Sequence, residues 1–248
     1  MSTPSFKDHF SVQAAEYERY RPGYPRALFE WLAAAAPSRE RALDVGTGNG
    51  QAAVGLAEFF VEVVATEPSL AQLQHARPHP RVRYAVEPAE RSHLPDASVD
   101  LLTAAQAAHW FAAGPFCTEA RRLLRPGGLL ALWTYEKFRA GGEIDRLVDD
   151  FYRDVVGPYW PPERRHVEER YATLPMPLEP VEAPPFELAT DWDVDTALAY
   201  LGTWSAVQRY RRLRGGDPLG LLEPLLREAW GGGPRRLTWP IHLRAGRR

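Results

Sequence analysis

The stretch LDVGTGNGQ, residues 43–51, constrains this chain more than any other. It closes a short apolar run, RALDV, that reads as a buried strand. Gly46, Gly48 and Gly50 follow at every second position, and QAAVGLAEFF then carries a helical pattern. Glycine permits positive φ and lets a ligand approach the backbone closely. The helix behind the turn presents free N–H groups to whatever lies there. Such a strand–turn–helix unit belongs at the carboxyl edge of an open α/β sheet. A dinucleotide-binding turn has the spacing G-x-G-x-x-G. Here Gln51 stands at the place of its third glycine, and the spacing is G-x-G-x-G.

The surrounding pattern agrees with an α/β fold. RALFEWLAAAA reads as a helix stopped by Pro37. VEVVAT is a strand, SLAQLQHA a helix, RVRYAV and SVDLLTAA strands, PFCTEARRLL a helix, RPGG a turn and LLALWTY a strand. Strands alternating with helices predict right-handed crossovers and a parallel sheet covered on both faces. After Tyr135 the chain becomes rich in Pro, Arg and aromatics. DRLVDDFYRDVV and PERRHVEERYATL are helix candidates, as are DVDTALAYLGTWSAVQRY and PLGLLEPLLREAW, the last with Pro224 inside it. FELATDW and RRLTWPIHLRA read as returning strands, and Pro240 suits an edge or a bulge. Upstream, Phe6, Phe10, Ala14, Tyr17 and Tyr20 recur at helical spacing until RPGYP breaks the pattern.

The 248 residues suffice for one large α/β domain and not for two full-sized enzymatic ones. A net charge of −2 supplies no basic field for nucleic acid or an anionic membrane. The single cysteine, Cys117, excludes an intrachain disulfide framework. No apolar run approaches the roughly 20 residues that span a bilayer. MSTPSFKDHF lacks the basic stretch and apolar core of a signal peptide. A cytoplasmic monomer or homodimer is expected.

Two acids sharpen the ligand. Asp44 lies two residues before the first glycine. A carboxylate there repels a pyrophosphate and suits a ligand bearing an ammonium group. S-adenosylmethionine (SAM) carries an α-ammonium, a carboxylate and a sulfonium, and no phosphate. Glu67 ends the second strand, where an acid accepts hydrogen bonds from ribose hydroxyls. NAD and SAM could both use it. Its other reading is a cap for the next helix, a task open to Ser69 as well.

LDVGTGNG, TEPS, PAE…LPDASVDLL and LLRPGGLLALW stand in this order over residues 40 to 135 and resemble the class I SAM-dependent methyltransferases of the type 11 group. The resemblance implies a Rossmann-like α/β fold. Its sheet would be seven-stranded and mostly parallel, in the order 3-2-1-4-5-7-6, with a reversed final hairpin and a helical insertion over the active site. It implies that SAM, leaving as S-adenosyl-L-homocysteine, is held by Asp44, Gly46, Thr47, Gly48, Gly50 and Gln51. The ribose would lie at Glu67 and Pro68, and the adenine near Ala89 and Glu90. Many relatives have Asp where this chain has Pro88, so adenine-edge recognition falls to the Ala89 N–H and Glu90. The flanks FSVQAAEYERYRPGYP, AQAAHWF, PYWPPERR and GTWSAVQRY are similar to a branch that includes trans-aconitate methyltransferase-like proteins. Those methylate small molecules, in some cases at a carboxylate. One domain, 1–248, is then expected: a helical cover over 1–37, a SAM-binding core over 38–136, cap segments over 137–184 and 193–232, and final strands over 185–192 and 235–245.

AQAAHWF follows the fourth strand, so Gln106 begins the floor near the cofactor while His109 and Trp110 border the acceptor. His109 has three readings: a catalytic base, a positioning group, or a structural histidine. Tyr20 and Arg21 are expected to close the cofactor site, with Arg21 near the SAM carboxylate; the alternative is a packed tyrosine and a surface arginine. Trp133, Tyr135, Trp160, Trp204 and Tyr210 are acceptor-pocket candidates, each also readable as core. Arg209 could anchor an acidic acceptor. His75, His79 and His93 have no thiolates nearby, which argues against zinc. No G-x-S-x-G is present. The Asn/Asp-Pro-Pro-aromatic turn of amino-methylating, nucleic-acid-modifying relatives is replaced by AQAAHW. The expected activity is SAM-dependent methylation of a small molecule, at oxygen, with a carboxylate as one candidate. Two other readings are an NAD(P)-dependent oxidoreductase and a SAM-binding module without catalysis.

Overall fold

The computed structural model describes residues 22–176 and 178–248. Tyr17, Tyr20 and Arg21, with the rest of the expected N-terminal cover, lie outside the described residues. The first helix, α1 (Arg26–Ala35), follows the RPGYP break and turns Leu28, Phe29, Leu32 and Ala33 inward at helical spacing. Alternation then begins with β1 (Arg41–Val45), α2 (Gln51–Ala57), β2 (Glu62–Thr66), the short α3 (Leu70–Leu73) and β3 (Val82–Ala85). β4 (Val99–Ala105), a 3₁₀ turn (Ala108–Trp110), α4 (Ala113–Leu123) and β5 (Leu124–Thr134) complete the first half. Of the expected helix SLAQLQHA only four residues are helical, because Pro78 and Pro80 lie just downstream and the chain must reach β3.

The second half carries α5 (Gly142–Asp150) with a π-turn over 151–155, and α6 (Arg164–Glu168). It continues through β6 (Glu179–Val181), β7 (Phe186–Trp192), α7 (Val194–Gly202), α8 (Ser205–Arg214), α9 (Leu219–Trp230) and β8 (Arg235–Arg247). The helix expected over PERRHVEERYATL is much shorter, since Arg170 and Tyr171 take positive φ (55° and 61°), which ends α-helical hydrogen bonding. Pro224 lies inside α9, which forms as expected.

The sheet order is β3-β2-β1-β4-β5-β8-β6, with β7 also paired to β8. Strands β1 to β5 are parallel and β8 runs antiparallel to β5. The expected order therefore holds, with β8 in the role of the last strand and β7 in that of the sixth. The eighth strand arises because β6 and β7 share one edge of β8, pairing with its residues 245–247 and 235–241 respectively. Pro240 sits between His242, the last β5 partner, and Thr238, which bridges Arg139, so its missing N–H falls in a gap of that ladder. RPGG is a bulge within β5 rather than a turn before it. The β4 partners jump from Leu124 to Leu129, and Gly127 takes φ 78°.

Side-chain parity divides the core into two layers. Ala42, Leu101, Leu129, Ala131 and Trp133 face α1, α2 and the cap helices. Leu43, Leu102, Ala104, Leu130 and Leu132 face α4 and the segment around Tyr171. No helix among the described residues is long and apolar enough to cross a membrane.

Candidate active site

The glycine turn closes over the carboxyl ends of β1 and β2. Gly46, Gly48 and Gly50 have φ of 64°, 58° and 82°. Two of them also lack room for a side chain. A Cβ on Gly46 would lie 2.6 Å from Ala107 Cβ, and one on Gly50 would lie 2.1 Å from Tyr84 Oη. Beneath the turn Asp44 is fully buried, accepting hydrogen bonds from Thr47 Oγ1 (2.6 Å) and Thr103 Oγ1 (2.7 Å). Burial raises its pKa to about 6, and the two hydroxyls oppose that rise. Thr103 had no signal in the sequence; it reaches Asp44 because β4 pairs with β1 at that register.

Glu67 is buried at the end of β2. Its Oε2 accepts from Gly48 N and its Oε1 from Ser69 N, both at 3.1 Å, which fastens the glycine turn to the β2 end around Pro68. Ser69 caps α3, accepting from Gln72 N, so Glu67 does not act as that cap. Gln51 holds the incoming N-terminal segment, donating to Pro22 O (2.9 Å). Ala89 is buried in the second core layer, and Glu90 accepts from Ala112 N (2.7 Å) at the start of α4.

Beyond the turn, a cleft open to solvent lies between the ends of β4 and β5 and the cap. Gln106, His109, Trp110, Tyr135, Trp160 and Trp204 line it, six of the residues singled out in the sequence. Glu136, Pro161, Arg164, Tyr200 and Ser205 line it as well. Gln106 takes φ 55°, donates to Tyr135 O (2.9 Å) and accepts from Thr134 Oγ1 (2.5 Å), tying β4 to β5 at the cleft floor. His109 Nδ1 lies 2.8 Å from Tyr171 Oη. Burial, with Arg164 and His166 adding to it, lowers the His109 pKa to about 3, so the ring is neutral at physiological pH.

Three candidates are placed elsewhere. Trp133 is fully buried in the α1 layer, edge-on to Tyr24 at 5.5 Å, and it is Tyr135, two residues further along on the same face, that reaches the cleft. Arg209 is exposed on α8 and does not line the cleft. Tyr210 packs on Tyr159 (4.9 Å). The arginine at the cleft is Arg164, whose guanidinium lies over the Trp160 ring (4.5 Å) and whose Nε donates to Tyr152 Oη (2.9 Å). It sits in the quoted stretch PYWPPERR, but its side-chain direction had no sequence signal. Among the described residues no cluster of three or more His, Cys, Asp or Glu is placed to hold a metal ion.

A parallel sheet with an antiparallel last strand, a glycine turn after β1 and an acid closing β2 define the Rossmann-like methyltransferase fold. A family model described as a methyltransferase domain matches residues 43–132. A protein named as a methyltransferase in Dictyostelium discoideum is 32% identical over 233 residues, covering 92% of this chain and 89% of the relative. An uncharacterized methyltransferase of Mycobacterium tuberculosis is 37% identical over 179 residues, covering 68% of this chain and 73% of the relative. A solved structure described as a type II methyltransferase from Anaeromyxobacter dehalogenans matches with a TM-score of 0.87 at 53% identity, covering 92% of this chain and 98% of that one. The chain belongs to the class I SAM-dependent methyltransferases, which sets aside the oxidoreductase reading.

Proposed function

We propose that this chain binds SAM at the glycine turn and methylates an oxygen of a small molecule held in the adjoining cleft. The observation that supports this most is the juxtaposition of the bare turn over Asp44 and Glu67 with the aromatic cleft at the ends of β4 and β5.

The residues present fit SAM. Side chains are excluded at Gly46 and Gly50 because Ala107 and Tyr84 pack against the turn, which fixes its tight course above Asp44. The buried Asp44 carboxylate suits an ammonium group, and Glu67 at the β2 end suits a ribose. Asp44, Gly46, Thr47, Gly48, Gly50, Gln51, Glu67 and Pro68 would hold the cofactor, with Ala89 and Glu90 toward the adenine. When bound, SAM supplies a methyl group on positively charged sulfur, already activated for displacement. The chain's own work is to orient the acceptor and exclude water, and orientation of this kind contributes up to about 7–11 kcal/mol. Gln106 fixes the cleft floor. Trp110, Tyr135, Trp160 and Trp204 form apolar walls that displace solvent, and Arg164 offers a cation for an acidic acceptor. A carboxylate acceptor is ionised at neutral pH and requires no base, which agrees with a histidine that stays neutral.

A labelled-methyl assay over small acids, phenols and amines tests the reading. Transfer to an acid or phenol is expected. Transfer to amines alone would contradict O-methylation, and SAM binding without transfer to any acceptor would favour a binding module.

A further inference from the structure

We propose that Tyr171 is a positioning residue that fixes His109 in the tautomer protonated on Nε2, so that the histidine meets the acceptor as a hydrogen-bond donor. The inference rests on the methyl-transfer reading only for the identity of the group this donor meets.

The argument starts from the backbone. His109 lies in the 3₁₀ turn Ala108–Trp110 that follows β4. The Tyr171 hydroxyl lies against this turn, where His109 Nδ1 is its hydrogen-bond partner. A buried phenol must place its one hydrogen, since a buried donor without a partner is rarer in folded proteins than an unfilled lone pair. What the hydroxyl has to give is its hydrogen, and His109 Nδ1 stands 2.8 Å away. Burial keeps the phenol protonated, raising its pKa above the usual tyrosine range. An Nδ1–H would instead turn the hydroxyl hydrogen away from the ring nitrogen beside it. Thr134, also beside Tyr171, spends its own hydrogen on Gln106 Oε1. The Gln106 amide is in turn oriented by its donation to Tyr135 O. With Nδ1 accepting from Tyr171, the proton belongs on Nε2, the nitrogen left for the cleft that His109 lines.

Tyr171 is held for this task. It is fully buried at φ 61°, its N–H donates to His166 O (2.7 Å), and Arg244 from β8 donates to its carbonyl and to that of Leu174. The chain accepts an unfavourable backbone conformation where the hydroxyl must reach the turn. The cleft around Nε2 has the same character. Arg164 adds a cation, and the buried Trp160 indole N–H has no hydrogen-bond partner among the described residues. Glu136, the acid that lines the cleft, is matched by His242 (3.5 Å) and Arg170 (3.7 Å). Donors of this kind suit an acceptor oxygen that carries negative charge and has no proton to lose; a protonated amine would meet N–H groups and a guanidinium.

The test reads the tautomer directly. Long-range ¹H–¹⁵N correlation spectra of protein labelled at histidine nitrogens distinguish protonated from bare ring nitrogens, and His109→Gln assigns the signal among the seven histidines. The wild type is expected to show a protonated Nε2 and a bare Nδ1 at neutral pH. Tyr171→Phe is expected to move the Nδ1 resonance or mix the tautomers while the other histidine signals stay in place. A wild-type His109 protonated on Nδ1 would overturn the proposal, whether or not the variant folds. So would a folded Tyr171→Phe protein with an unchanged His109 pattern. Calorimetry with SAM on the same samples separates this from the functional reading: absent SAM binding would sink that reading and leave the tautomer result standing.

Discussion

Replacing Asp44 by Asn should stabilise the protein without its cofactor while weakening cofactor binding. The fully buried carboxylate has its pKa raised from 3.8 to about 6, burial outweighing the Thr47 and Thr103 hydrogen bonds. A raised carboxylate pKa means that the folded state holds a proton where the unfolded state has lost it. Stability is therefore lost as pH rises from about 4 through about 6. At 1.36 kcal/mol per pH unit the loss is about 3 kcal/mol, complete by pH 7 to 8. Asn removes the charge and disturbs one of the two hydroxyl bonds, since its amide nitrogen cannot accept; that costs about 1 kcal/mol. The net expectation is a gain of about 2 kcal/mol at pH 8, turning into a small loss near pH 4. Urea unfolding followed by tryptophan fluorescence at both pH values measures the difference, and calorimetry should show reduced affinity for SAM. The reasoning fails if the variant's stability relative to wild type does not change between pH 4 and pH 8. A residue that costs stability when ionised and is required by a ligand is the pattern expected of a functional site.

Gly50→Ala should cost about 2–3 kcal/mol in chemical denaturation. The left-handed backbone contributes about 1–2, and the rest comes from displacing Tyr84 Oη from Arg77 O, now 2.6 Å away. Tyr84→Phe in the same protein should recover part of it, and a neutral Gly50→Ala would disprove the turn geometry. Arg164→Gln should lower kcat/KM for an acid acceptor by about tenfold or more, mainly through KM, with SAM affinity unchanged in calorimetry. An unchanged KM would remove Arg164 as the anchor. With a carboxylate acceptor, kcat should be flat between about pH 7.5 and 9, above the Asp44 transition near 6, because His109 with its pKa near 3 carries no charge change in that range. A sigmoidal rise there would reinstate a histidine base.

The first half of the chain was legible because its signals are local. LDVGTGNG places a strand end, three left-handed glycines and a helix start within a few residues, and short apolar runs between helical segments mark β1 to β5. Positions set by long-range packing were not. Tyr171 is 62 residues from His109, and nothing around it announces the positive φ that ends α6 and delivers its hydroxyl. Arg164 and Arg209 both lie on helices beside other arginines, and only the cap's packing decides which faces the cleft. Strand parity puts Trp133 and Tyr135 on one face with Leu129 and Ala131, and only the position of Tyr135 beyond the strand end brings it to the cleft. Thr103 was hidden for the opposite reason, since its partner Asp44 is set by the β1–β4 register.

The central claim is that the glycine turn over Asp44 is a SAM site. Isothermal titration calorimetry of the wild-type chain with SAM, S-adenosyl-L-homocysteine and NAD tests it most directly. Saturable binding of both SAM and S-adenosyl-L-homocysteine, with no heat from NAD, is the predicted result; binding of NAD without SAM would contradict it.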